Sequence, residues 1–206
     1  FCAGSVYNHF TLRPQVLVWV YFALLILVAH KISLDRTNKR HTLAYILLMV
    51  LWANTHVTAI IGIVTVCAWV LPDLRLALRL RLLGFAATLI SPYLGGEWIS
   101  SFQHSTHPFV FSSISEFRPA TIMQHSTAFL IIADGLLLAM LMARRDVFTS
   151  AKIVLAGGLT IAGLAVVKFL PFAVILTLAL VAIFWSDEAN RRALGNLAEG
   201  FLRLER

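Results

Sequence analysis

The residues able to do chemistry in this chain are few, and most fall at breaks between apolar runs. Trp52-Ala53-Asn54-Thr55-His56 interrupts a run from 43 to 72. An amide and an imidazole at that place can hold a charged substrate; the alternative is that they cap a broken helix and bond between helices. Arg13-Pro14 offers either a guanidinium for phosphate or a helix start with its arginine reaching to headgroups. Glu97 and Glu116 supply carboxylates for general-base work or for recognising a sugar hydroxyl or an amine, against the alternative of solvated surface acids. His104-Ser105-Thr106-His107 has a spacing that some zinc sites use but lacks a third ligand motif, so solvated or substrate-touching histidines are expected there. Asp134 stands inside STAFLIIADGLLLAMLMA, where an acid is costly unless protonated, paired or facing water. It reads as a functional group or as a hydrogen-bonded acid at a helix contact.

The elements that must position these groups are membrane helices. Of 206 residues 59% are hydrophobic and 13% charged, with a mean hydropathy of +0.83. Soluble domains run at roughly 45–50% apolar and 25% charged, so the chain reads as an all-α integral membrane protein. Apolar segments fall at about 15–30, 43–72, 82–94, 126–143, 152–167 and 169–185. Cys2 and Cys67 are isolated thiols and build neither a disulfide framework nor a metal cluster. No cofactor is expected, with a divalent metal kept open.

The net charge of +7 decides the topology. Basic residues cluster at Lys31 to Arg40, Arg75 to Arg81, Arg144 to Lys152 and Arg191 to Arg206, and lysine and arginine favour the cytoplasmic side. If 43–72 were one span, the first two clusters would face opposite sides. Broken at Asn54 to His56, it becomes a hairpin and all four clusters face the cytoplasm. The expectation is then about seven short transmembrane helices in one domain over 1–185, with residues 1–14 and a long loop at about 95–124 outside. Segment 186–206 reads as a cytoplasmic amphipathic helix, with Leu194, Leu197, Ala198, Phe201 and Leu204 at helical spacing. Charge placed beside membrane segments calls for membrane lipids as partners and for no nucleic acid. Gly157, Gly158 and Gly163 are expected to allow close helix packing. Residues 1–12 lack the basic and apolar regions of a signal peptide, and the chain reads as the central to C-terminal part of a longer protein.

This topology gathers Arg13, Asn54, His56, Tyr93, Glu97, Glu116 and Arg118 at one face. Backbone that is irregular at membrane depth must be buried in protein or line a wet cavity, so the break is expected in a cavity.

The ordered set Arg13-Pro14, Trp52-Ala53-Asn54-Thr55-His56, Ser91-Pro92-Tyr93-Leu94-Gly95 and Ile114-Ser115-Glu116-Phe117-Arg118-Pro119 resembles bacterial polytopic glycosyltransferases of the GT-C type. There the pieces read approximately RP, W-x-N-x-H-G, N-P-Y-G and E-W-x-S-P. Lys168-Phe169-Leu170-Pro171 resembles the opening of a late helix of that group. Val57, Ser91 and Phe117-Arg118 depart from the pattern. The resemblance implies transfer of a sugar from a polyprenyl-phosphate carrier to an acceptor outside the cytoplasmic membrane. Arg13, Asn54, His56, Tyr93 and Arg118 would bind substrate or phosphate, and Glu116 or Glu97 would position the acceptor. It also implies a catalytic carboxylate in an outer loop upstream of this chain. The rival expectations are a transporter or lipid-handling protein that uses Asp134, and a non-catalytic scaffold.

Overall fold

The computed structural model describes residues 14–106, 119–121, 125–144 and 149–186, together with 192 and 195. Every regular element among them is helical: α1 Pro14–Leu34, α2 Lys39–Ala53, α3 Ala59–Val70, α4 Leu74–Thr88, α5 Gly96–Thr106, α6 His125–Ala143, α7 Ser150–Ala165 and α8 Leu170–Trp185. A 3₁₀ turn, Val167–Phe169, leads into α8.

Three stretches are long and apolar enough to cross a membrane: Gln15–Leu34, Ser126–Ala143 and Val167–Trp185. The other apolar helices fall short of the roughly 17–25 residues a straight span requires, so seven full spans are more than the helix lengths alone support. The outward faces are nevertheless apolar. Leu17, Val20, Leu24 and Leu27 on α1, and Ile131, Ile132 and Leu138 on α6, are all exposed. A soluble bundle places charge on such faces, whereas lipid accepts leucine and isoleucine at no cost.

The break expected at Asn54 to His56 is present, and it is closed by its own backbone and side chains. The backbone N–H groups of Thr55 and His56 both donate to Trp52 O at 2.9 Å, and Thr55 Oγ1 donates to Leu51 O at 2.7 Å. The last carbonyls of α2 are thereby satisfied within the turn. Below it, Phe22 of α1, Trp52 of α2 and Phe172 of α8 form one aromatic cluster with centroids 5.2–6.1 Å apart. That cluster fixes the height of the break against the two long helices.

The opposite end is marked by Arg36, whose Nη1 lies 3.1 Å from Asp73 Oδ2, tying the α1–α2 loop to the start of α4. Asp73 is the N-cap of α4, accepting from Leu76 N at 3.0 Å. That backbone bond first, and the Arg36 charge second, hold its carboxyl below the ordinary aspartate range. Between the ends, Tyr45 Oη donates to Leu80 O at 3.1 Å, and a Cβ on Gly84 would run into that same hydroxyl. Glycine at 84 is therefore what allows α2 and α4 to approach.

Three expectations need correction. The fourth helix begins at Leu74, not near residue 82, so Arg75, Arg79 and Arg81 ride on it, all exposed. Arginine is a good helix former whose long stem lets the charge leave the apolar layer, a property that hydropathy alone does not register. The stretch read as a loop from 95 opens with an 11-residue helix, α5. Trp98 anchors α5 by packing on Phe85 at 5.3 Å and donating to Thr88 Oγ1 at 3.0 Å, while Ile99 and Phe102 stay exposed. Of the three glycines, a Cβ on Gly157 or Gly158 would meet nothing within 4 Å, whereas one on Gly163 would sit 2.9 Å from Leu170 Cα. Only Gly163 serves close packing, at the turn into α8. The tail expected to form an amphipathic helix lies outside the described residues apart from Ser186, Arg192 and Gly195.

Candidate functional site at the α2–α3 break

An open cavity of about 430 Å³ lies beside the break, lined by Ala53, Asn54, Thr55, His56, Val57, Tyr93, Gly96 and Ser100. The α2–α3 turn supplies one wall, and the α4–α5 turn with the first turns of α5 supplies the other. Asn54 joins the two walls, its Nδ2 donating to Val50 O and to Ile90 O, each at 2.8 Å. Both partners are carbonyls, so the amide orientation is determined and both N–H donors are used. What Asn54 offers a ligand is Oδ1, an acceptor. It suits a hydroxyl and not a phosphate oxygen.

His56 is fixed with equal definition. The backbone N–H of Thr58 donates to His56 Nδ1 at 3.2 Å, and Thr58 Oγ1 lies 3.0 Å from the same nitrogen. A backbone N–H can only donate, so Nδ1 accepts and the neutral ring carries its proton on Nε2. The threonine hydroxyl is itself oriented by Trp52, whose Nε1 donates to Oγ1 at 3.2 Å. A chain of bonds thus runs from the aromatic core to the imidazole, and the ring presents an N–H donor.

On the other side of His56, a void large enough for about one water is lined by Gln15, Val18, Trp19, His56, Thr58, Lys168 and Phe172. Lys168 brings a cation to this end from the 3₁₀ turn before α8. The sequence marked it only as a basic residue opening a late helix. The available signal was its position two residues before Leu170-Pro171, where the chain must turn. Trp52 and Thr58, which orient His56, were not singled out as positioning residues.

The wall formed by Ser91 to Gly95 is shaped by two residues with positive φ, Leu94 at 46° and Gly95 at 92°. Glycine takes such a conformation freely, while leucine pays about 1 kcal/mol or more for it. The reversal leaves Tyr93 72% exposed at the cavity mouth.

Of the expected site residues, Asn54, His56 and Tyr93 therefore meet at one cavity. Glu97 lies on α5, and its side chain is outside the described residues, as are Arg13, Glu116 and Arg118. The His104 and His107 side chains are outside them too. Among the described residues no three His, Cys, Asp or Glu side chains gather into a metal-binding group.

Asp134 is placed elsewhere. Its Oδ2 accepts from Thr160 Oγ1 and its Oδ1 from Thr177 Oγ1, both at 3.0 Å, so one carboxyl group joins α6, α7 and α8. Of the two readings of this acid, the helix contact is the one observed. Comparison of the chain with family models, with curated proteins and with solved structures finds no match.

Proposed function

We propose that the chain is the membrane portion of a GT-C-type glycosyltransferase, and that the cavity at the α2–α3 break handles a sugar carried on polyprenyl phosphate at the outer face of the cytoplasmic membrane. In this reading all seven apolar helices are embedded, the short ones by tilting or by local thinning of the bilayer. The observation that carries the proposal is the complementary pair lining the cavity, an acceptor at Asn54 Oδ1 and a donor at His56 Nε2, with the Lys168 cation behind His56. A phosphorylated sugar presents hydroxyls for the first and anionic oxygens for the second. Preorganised donors facing a phosphate leaving group are a large catalytic contribution in a water-poor site. Arg13 and Arg118 would add charge, Tyr93 would bound the sugar, and Glu116 or Glu97 would position the acceptor hydroxyl.

The test is transfer of labelled sugar from a polyprenyl-phosphate donor by the full-length protein in membranes. A hydrogen bond to a charged group contributes about 1.5–3 kcal/mol, and 1.4 kcal/mol is a factor of ten, so His56→Ala and Lys168→Gln should each slow transfer about tenfold or more. Asn54→Ala should fall most for sugars bearing the recognised hydroxyl. Unchanged rates in all three, at equal expression, refute the assignment. A transporter reading would need Asp134 on a permeation route, and the engagement of both its oxygens by threonines disfavours that. Proton- or ion-coupled uptake abolished by Asp134→Asn would reverse the preference.

A further inference from the structure

At the end of the bundle opposite the cavity, several buried polar atoms converge without partners. His30 lies one turn from the end of α1, Trp69 in the last turn of α3, and Lys152 in the first turn of α7, whose N-cap is Thr149. Trp69 is only 2% exposed, yet its indole N–H has no acceptor. His30 Nδ1 and Thr149 Oγ1 are likewise buried and unbonded, as is Thr65 Oγ1 one turn before Trp69 on the same helix face. The groups are close together. The His30 and Trp69 rings are 6.5 Å apart at 79°, and Lys152 Nζ stands 4.8 Å from the Trp69 ring centroid. No carboxylate pairs with Lys152 among the described residues.

Orphaned buried groups are rare in folded proteins, and a cluster of them calls for an unseen partner. The cluster is rich in donors. Beside the His30 imidazole it has an ammonium, an indole N–H and hydroxyls, that of Thr149 at the N-terminus of a 16-residue helix, and no carboxylate stands among them within the described residues. An interfacial tryptophan anchored in the headgroup belt would leave its ring exposed, and Trp69 does not. The end of α1 and the start of α2 add exposed Lys31, Lys39 and Arg40, while Arg36 is paired with Asp73. We infer that the junction of α1, α3 and α7 binds a phosphate oxyanion, held by Lys152, the Trp69 indole N–H and Thr149 at the N-terminus of α7. At headgroup depth the oxyanion is either the phosphate of an anionic phospholipid or free phosphate.

The experiment uses the full chain in nanodiscs of phosphatidylcholine alone, of phosphatidylcholine with phosphatidylglycerol, or of phosphatidylcholine with added inorganic phosphate. The Trp69 indole ¹⁵N–¹H resonance, assigned by its loss in Trp69→Phe, reports occupancy, and native mass spectrometry counts retained phosphatidylglycerol. Movement of the resonance with phosphatidylglycerol only assigns a lipid headgroup; the same movement with inorganic phosphate assigns a free anion. Lys152→Gln should cut retention or phosphate affinity about tenfold or more, and Trp69→Phe should cut phosphatidylglycerol retention several-fold, while Lys152→Arg keeps most of it. The arginine and phenylalanine variants preserve charge or ring, so binding remains measurable even if Lys152→Gln folds poorly. A wild-type resonance that responds to neither anion, or Lys152→Gln binding as wild type does, overturns the inference and leaves water as the partner of these groups.

Discussion

Thr58→Val tests whether the bonds between the aromatic core and His56 exist and matter. Valine matches threonine in shape and removes only the hydroxyl, which accepts from Trp52 Nε1 at 3.2 Å and bonds His56 Nδ1 at 3.0 Å. Trp52 is 0% exposed, so its indole N–H would be left buried without an acceptor. In water-soluble proteins an orphaned buried donor costs about 1–3 kcal/mol. Within membranes such bonds average about 0.6 kcal/mol, with a maximum near 1.7, because the unfolded chain also finds partners. Two bonds lost at one site then give about 1–2 kcal/mol, well above the scatter expected of a surface change. Unfolding by graded sodium dodecyl sulfate in mixed micelles measures it, and Thr58→Ser, which keeps the hydroxyl, is the control. The same substitution should loosen the imidazole, since Nδ1 loses the hydroxyl at 3.0 Å and keeps the Thr58 backbone N–H at 3.2 Å. In ¹⁵N spectra the His56 nitrogens of the wild type should report a single Nε2–H tautomer, and those of Thr58→Val a mixture. A valine variant within about 0.5 kcal/mol of wild type, with an unaltered tautomer, would refute the chain of bonds.

Other outcomes follow from single contacts. Asp134→Leu should lower stability by about 1–2 kcal/mol by orphaning Thr160 and Thr177, while Asp134→Asn, which keeps an acceptor, should cost less; equal stability of the two in the same unfolding assay would deny the three-helix contact. Gly163→Ala should destabilise by about 1–3 kcal/mol because its Cβ meets the backbone of Leu170, whereas Gly157→Ala, facing open space, should stabilise by about 0.5–1 kcal/mol through helix propensity. Asp73, with its carboxyl held below the ordinary value of 3.8, contributes stability that is fully present above that pH and is lost as pH falls through the folded-state value. Acid unfolding of Asp73→Asn should therefore show a shallower pH dependence below about pH 4 than wild type, and parallel curves would exclude the linkage.

The sequence by itself determined the helical class, the order of the apolar elements and the break after Ala53. These are local properties. Hydropathy marks a helix by its own residues, the basic clusters arbitrate whether 43–72 crosses once or turns back, and an Asn-Thr-His run at a helix end satisfies its own last carbonyls. It also brought Asn54, His56 and Tyr93 to one end, because the side on which each break falls follows from counting turns. Only the tertiary structure decided which atoms those residues have left to offer, through Ile90 O on Asn54 and Thr58 on His56. The same holds for Lys168 beside His56, Asp134 between Thr160 and Thr177, and the open surroundings of Gly157 against the closed ones of Gly163. Such partnerships depend on how each helix is rotated about its axis. In a soluble bundle the polar stripe reveals that rotation, but α1, α6 and α8 are apolar on nearly every face, with exposed leucines no different in type from buried ones. The chain marks its most apolar segments as helices, misses the arginine-rich start of α4 and the polar α5, and leaves to packing the choice of face each turns inward.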